Sequence, residues 1–124
     1  MRFILRKEFR FEAAHKLPQH DGKCRRLHGH SWKMRVVVSG PVLEMHGAKS
    51  GMLVDYADIS RIVRPVVEMY LDHHYLNESI PSLANPTSEM LAAWLFHLLK
   101  PLLPNLDAVE VDETCTSSCC YFGP

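Results

Sequence analysis

Three histidines and a cysteine stand close together early in the chain, at His15, Cys24, His28 and His30. Residues two apart on a strand project to the same side, so His28 and His30 can converge on one metal ion. Gly29 between them leaves room on the opposite face. His15, at the end of a neighbouring strand, can supply a third imidazole. Three neutral imidazoles leave zinc its full double charge and an open fourth position, the pattern of a catalytic rather than a closed site. A bare His-x-His is also what two surface histidines on a strand look like. The third histidine and the nearby cysteine are what make the group read as a metal centre. Eight histidines in 124 residues, unevenly spread, point the same way.

Cys24 has two roles open to it. It can be the fourth ligand, closing a structural site, or it can stand just outside the metal as a base. Its neighbours Lys23, Arg25 and Arg26 argue against an inert buried thiol. Asp72-His73 falls where a helix should end. There a carboxylate can orient an imidazole, and equally a histidine can do no more than complement the helix dipole. Glu113 is in phase with Val109 and Val111 and so shares their side of a strand. Its carboxylate can hold a guanidine-like ligand edge bidentately, or simply be solvated beyond the core. Cys115, Cys119 and Cys120 lack histidines at ligand spacing and read as plain thiols. His20, His46, His74 and His97 show no partner pattern.

The elements that must position these groups are legible from periodicity. Phe3, Leu5, Phe9, Phe11 and Ala13 alternate with charged residues, which predicts a half-buried strand interrupted once by Lys7. A polar loop from Gln19 to Arg26 follows. A second strand runs from His28 to the stop at Gly40-Pro41, and Gly47 to Gly51 is rich in turn residues. Asp55 to Asp58 reads as a helix start, followed by an apolar face from Ile59 to Tyr70 that Pro65 should kink. A second helix opens at Asn85-Pro86-Thr87-Ser88-Glu89 and ends by Pro101 and Pro104. Ala108 to Glu113 predicts a third strand, and Cys119 to Phe122 a short fourth. The expected order is β-β-α-α-β-β, an α+β domain over residues 1–124 with both helices on one face of an antiparallel sheet.

Composition narrows the function. The chain is 47% apolar and 23% charged with a formal net charge of zero. That balance argues against nucleic acid or an anionic membrane as partner. The apolar stretch Met90 to Leu99 is too short to span a membrane. The charged opening, Met1 to Glu8, is unlike a secretion signal, so the cytoplasm is the expected location.

Six segments together resemble the 6-pyruvoyltetrahydropterin synthase family. They are Phe11-Glu-Ala-Ala-His15, Cys24-Arg-Arg-Leu-His28-Gly-His30, Gly51-Met-Leu-Val-Asp55-Tyr56, Leu71-Asp-His-His-Tyr-Leu-Asn77, Asn85-Pro-Thr-Ser-Glu89 and Glu113-Thr-Cys-Thr116. They occur in family order across nearly the whole chain. The resemblance implies a tunnelling fold, in which trimers form a barrel and two trimers stack into a homohexamer. It implies a zinc ion on His15, His28 and His30, with Cys24 as proton acceptor and Asp72 and His73 as a relay. Glu113 would hold the pterin's amino-pyrimidine edge, helped by Thr87, Ser88 and Glu89. The three-residue gap between Cys24 and His28, with the Glu-Thr-Cys-Thr ending, is similar to the family's carboxy branch, which serves queuosine biosynthesis. That branch converts 7,8-dihydroneopterin triphosphate to 6-carboxytetrahydropterin, with loss of acetaldehyde and triphosphate. The sister product, 6-pyruvoyltetrahydropterin, and a non-catalytic zinc-stabilised module are the alternatives.

Overall fold

The alternation from Phe3 onward folds as strand β1, Phe3–His15, paired antiparallel with β2, His28–Gly40. The two are in continuous register, from Phe3 opposite Gly40 to His15 opposite His28. A computed structural model describes residues 2–124. The remaining elements are α1 (Tyr56–Val66), β3 (His74–Tyr75), α2 (Leu76–Ser79), α3 (Ser88–Leu99), β4 (Leu106–Thr114) and β5 (Ser117–Tyr121).

The core lies on one face of the sheet. Phe9, Phe11, Trp32, Met34, Val36, Val109 and Val111 are buried there, against Ile59 and Val63 of α1 and Leu91, Leu95 and Leu99 of α3. Trp32 stacks on Phe11 with ring centres 5.8 Å apart, and its indole N–H donates to the carbonyl of Ala13 at 3.1 Å. The opposite face carries ion pairs instead. Arg35 of β2 holds Asp112 and Glu110 of β4, and the hydrogen bonds it donates to Asp112 lead in raising its guanidinium above the ordinary value.

Two expectations need correction. Among the described residues the sheet is not four antiparallel strands but five, ordered β3-β1-β2-β4-β5, with β3 parallel to β1. The α-helices among the described residues number three, since α2 lies between the two that were expected. The element order is therefore β-β-α-β-α-α-β-β. A two-residue strand and a one-turn helix are too short to carry a period, so periodicity misses both. Pro65 lies inside α1, and the helix widens just after it into a π-helical turn at Val67–Leu71, a usual companion of a helix irregularity.

His73 makes the extra strand. It adopts a left-handed conformation (φ 60°), rare for a residue with a Cβ, and turns the chain back toward β1. Two hydrogen bonds hold it there. The Asp72 carboxylate accepts the backbone N–H of Glu12 at 2.9 Å, and the His73 backbone N–H donates to the Glu12 carbonyl at 2.6 Å. A second clasp follows at Asn77, whose amide both accepts from and donates to the Lys16 backbone, at 3.0 and 2.9 Å.

The Glu12 N–H, followed by the neighbouring His73 imidazole, holds the Asp72 carboxyl below its ordinary range against the opposing effect of burial. A depressed carboxylate stabilises the fold above its unfolded pKa, and that contribution is lost as pH falls through the folded value. We expect Asp72→Ala to be less stable than the wild type near neutrality. The gap should close below about pH 4. Denaturant titrations at several pH values check this, and a gap that persisted undiminished at lower pH would contradict it.

Candidate metal centre and active site

The continuous β1–β2 register brings the predicted ligands together. His15 sits opposite His28, and Ala13 opposite His30, at the end of the core face. Each of the three imidazoles offers one nitrogen, and these atoms lie within 4.8 Å of one another. His15 is fully buried, while His28 and His30 are half-buried. Trp32 packs edge-on against His15 and His30, with ring centres 5.0 and 5.4 Å apart.

Backbone carbonyls set the orientation of two of the rings. The Nδ1 of His15 lies 2.9 Å from the carbonyl of Pro86, and that of His28 lies 2.7 Å from the carbonyl of Arg26. A carbonyl only accepts, so both Nδ1 atoms carry a proton, and in the neutral form of each ring the lone pair is then on Nε2. This is how metal-binding histidines are commonly held. Burial leads in lowering the pKa of both His15 and His30, so both rings are neutral near pH 7.

The Glu113 carboxylate closes the arrangement. Its Oε1 is 3.3 Å from Nε2 of His15 and 3.6 Å from Nε2 of His30, yet both nitrogens lack a hydrogen-bond partner. For His15 this sets a lone pair against a carboxylate oxygen, two acceptors with nothing between them. An unsatisfied buried polar atom costs about 1–3 kcal/mol. A cation removes that penalty at both nitrogens together. The donor set therefore fits a metal ion.

Cys24 shares a cavity of about 420 Å³ with His28 and His30, lined also by Lys23, Arg26 and Leu27. It does not join the group at ligand distance, which among the described residues holds the three histidines alone. The start of α3 adjoins the site through Pro86. Thr87 caps the helix by accepting the Met90 N–H at 3.1 Å, and the Ser88 hydroxyl donates to Glu89. Asp72 and His73 stand elsewhere. The Asp72 carboxylate and the His73 ring pair with each other at 3.1 Å. His73 lines a cavity of about 540 Å³ at the β1 edge, together with Glu12, Gly29, Ser31 and also His30 of the metal group.

Three of the remaining histidines are accounted for locally. His20 accepts the Gly22 N–H, His74 donates to the Glu68 carbonyl, and His97 meets the Tyr121 hydroxyl. Burial pushes the thiols of Cys119 and Cys120 up, in keeping with plain thiols. The carbonyls of Pro86 and Arg26 were not foreseen from sequence. No residue type announces a backbone acceptor.

Fold and site define an α+β protein with a histidine-built candidate metal centre at the end of its sheet. The chain belongs to the 6-pyruvoyl tetrahydropterin synthase family, whose sequence model matches residues 4–124. It is 50% identical over 123 residues to the 6-carboxy-5,6,7,8-tetrahydropterin synthase of Synechocystis sp., covering 98% of this chain and 95% of that one. It is 30% identical over 141 residues to the 6-pyruvoyl tetrahydrobiopterin synthase of Drosophila melanogaster, covering 98% and 80%. The structure of Caenorhabditis elegans 6-pyruvoyl tetrahydropterin synthase matches with a TM-score of 0.86 at 26% identity, covering 100% of this chain and 97% of that one.

If the three imidazoles are the ligands, the site has no spare histidine, and losing one should weaken metal binding by orders of magnitude. We expect the wild type to purify with about one metal ion per chain, and His28→Ala and His30→Ala without it. Elemental analysis showing equal metal in all three proteins would refute the assignment.

Proposed function

We propose that this protein is a zinc-dependent lyase that converts 7,8-dihydroneopterin triphosphate to 6-carboxy-5,6,7,8-tetrahydropterin, releasing acetaldehyde and triphosphate, in queuosine biosynthesis. The observation that carries the reading is the three-histidine group with its unpartnered nitrogens, beside Cys24, in a chain half identical to a 6-carboxytetrahydropterin synthase. Zinc on His15, His28 and His30 would act as a Lewis acid toward the hydroxyls of the substrate side chain. Cys24 at the rim of the same cavity would take a proton at Sγ from the adjoining carbon. With the histidine nitrogens engaged, Glu113 would be free to accept two N–H bonds from the amino-pyrimidine edge and so orient the ring. Thr87, Ser88 and Glu89 at the start of α3 would border the same ring. That Cys24 stays outside the histidine group favours an open metal position over a closed structural one.

Asp72 and His73 would act as a relay, with Asp72 orienting the imidazole. His73 shares its cavity with His30 of the metal group, and that open cavity could also be completed by a neighbouring copy. The sheet edges support such an assembly. β3 covers β1 only at Ala13 and Ala14, and β5 ends the sheet on the other side. Unpaired edges tend to be joined or blunted. A trimeric barrel, doubled into a hexamer, would join both. Light scattering should therefore report an oligomer, and a stable 14.2 kDa monomer at micromolar concentration would speak against it.

The chemical roles separate by kinetics. Cys24→Ala should retain metal, fold and assembly while losing about 10²–10⁴-fold in maximal rate, as expected for a missing general base. Glu113→Ala should chiefly raise KM. Product identification by mass spectrometry tests the reaction itself, since 6-pyruvoyltetrahydropterin as sole product would replace the carboxy reading. A Cys24→Ala protein that arrived metal-free and partly unfolded would make Cys24 a ligand and the site structural.

A further inference from the structure

The segment between the two strands that carry the histidines is strongly cationic in a chain of zero net charge. From Lys16 to His30 there are Lys16, Lys23, Arg25 and Arg26 against one acid, Asp21, which points fully into solvent. Elsewhere the basic side chains are mostly engaged. Arg2, Arg10, Arg35, Lys49 and Arg61 all pair with carboxylates. Among the described residues, the side chains of Lys23, Arg25 and Arg26 make neither an ion pair nor a hydrogen bond, and all three are exposed.

The backbone beneath these cations is nevertheless tied down. The Leu17 N–H donates to the Cys24 carbonyl at 2.9 Å, and the Arg26 N–H to the Lys23 carbonyl at 3.0 Å. The Arg26 carbonyl in turn holds the ring of His28 at 2.7 Å. Lys23 and Arg26 also line the cavity that contains Cys24, His28 and His30. The backbone that carries two unpaired cations is thus fixed beside the metal group, so binding need order only their side chains.

We propose that Lys23 and Arg26 form the subsite for the polyphosphate arm of the substrate. The proposal rests on the reading that the substrate is a pterin triphosphate. If Glu113 holds the ring and the metal group faces the side-chain hydroxyls, the phosphates must leave by one of the neighbouring cavities. The one beside the start of α3 contains Asp21 and no Lys or Arg, and the one that His30 shares with His73 contains the Glu12 carboxylate and again no Lys or Arg. Of the three, the cavity lined by Lys23 and Arg26 alone offers permanently cationic side chains to an anion. Guanidinium pairs with phosphate oxygens bidentately, and an ammonium adds a compact point charge.

Inorganic triphosphate is the probe, titrated calorimetrically into the purified protein, with metal content measured before and after. The wild type should bind it, and more weakly as salt is raised. Lys23→Gln/Arg26→Gln should keep its metal and fold but lose binding by about 10–100-fold per contact removed, the usual worth of a charged hydrogen bond. Lys33→Gln/Arg61→Gln, which removes the same charge elsewhere, should bind as the wild type does. The proposal is overturned if the wild type does not bind, if the Lys23/Arg26 variant binds as well as the wild type, or if the control pair weakens binding equally. A protein that binds inorganic triphosphate through Lys23 and Arg26 yet does not turn over dihydroneopterin triphosphate would keep the subsite and lose the pterin reading.

Discussion

The register between β1 and β2 governs the rest of this molecule. Side chains alternate with a period of two, so slipping one strand by a single residue would turn its whole inward set to solvent. Here that set comprises Phe9, Phe11, Trp32 and Met34, which build the core, and His15, His28 and His30, which extend the same rows past its end. Core and metal group are consecutive stretches of one pattern. The burial of Phe11 and Trp32 resists any slip that would separate His15 from His28, so the same apolar contacts that stabilise the fold also hold the ligand geometry.

At the end of those rows the chemistry changes from apolar packing to unresolved polarity. Two imidazole nitrogens lack partners and face a carboxylate, while carbonyls from Pro86 and Arg26 keep two of the rings in one tautomer. The unpartnered nitrogens and the carboxylate facing them are costly taken alone. They become consistent with one another when a cation occupies the space between them. The orienting carbonyls come from segments far apart in sequence, the turn before β2 and the start of α3. The metal group therefore depends on the docking of α3 as much as on the strands.

The two faces of the sheet divide the remaining work. One face is sealed by α1 and α3. The other carries the Arg35 network, and His73 stands at the edge of β1, held in place by the Glu12 backbone. The left-handed turn at His73 is local strain, and strain of that kind persists where surrounding bonds over-determine it. Here the Asp72 carboxylate and the two-residue strand β3 supply those bonds. The basic turn from Lys23 to Arg26 lies at the mouth of the metal side, where β1 and β2 are joined.

By itself, the sequence determined what depends on period and residue type. The alternation of Phe9 and Phe11 with charged neighbours specified β1, and His-Gly-His on the following strand specified two ligands on one side. Asp55 and Thr87 marked the helix starts that the structure shows. The tertiary structure decided what depends on distance across the chain. It placed Glu113 against the histidine nitrogens and kept Cys24 outside the ligand group. It also set Asp72 and His73 against the Glu12 backbone at the edge of β1, and built β3 and α2 from stretches too short to carry a period. The physical reason is the range of the interactions: periodicity reports which side of an element is buried, whereas hydrogen bonds such as those from the His15 ring to the Pro86 carbonyl and from the Glu12 N–H to the Asp72 carboxylate form only once the elements have packed.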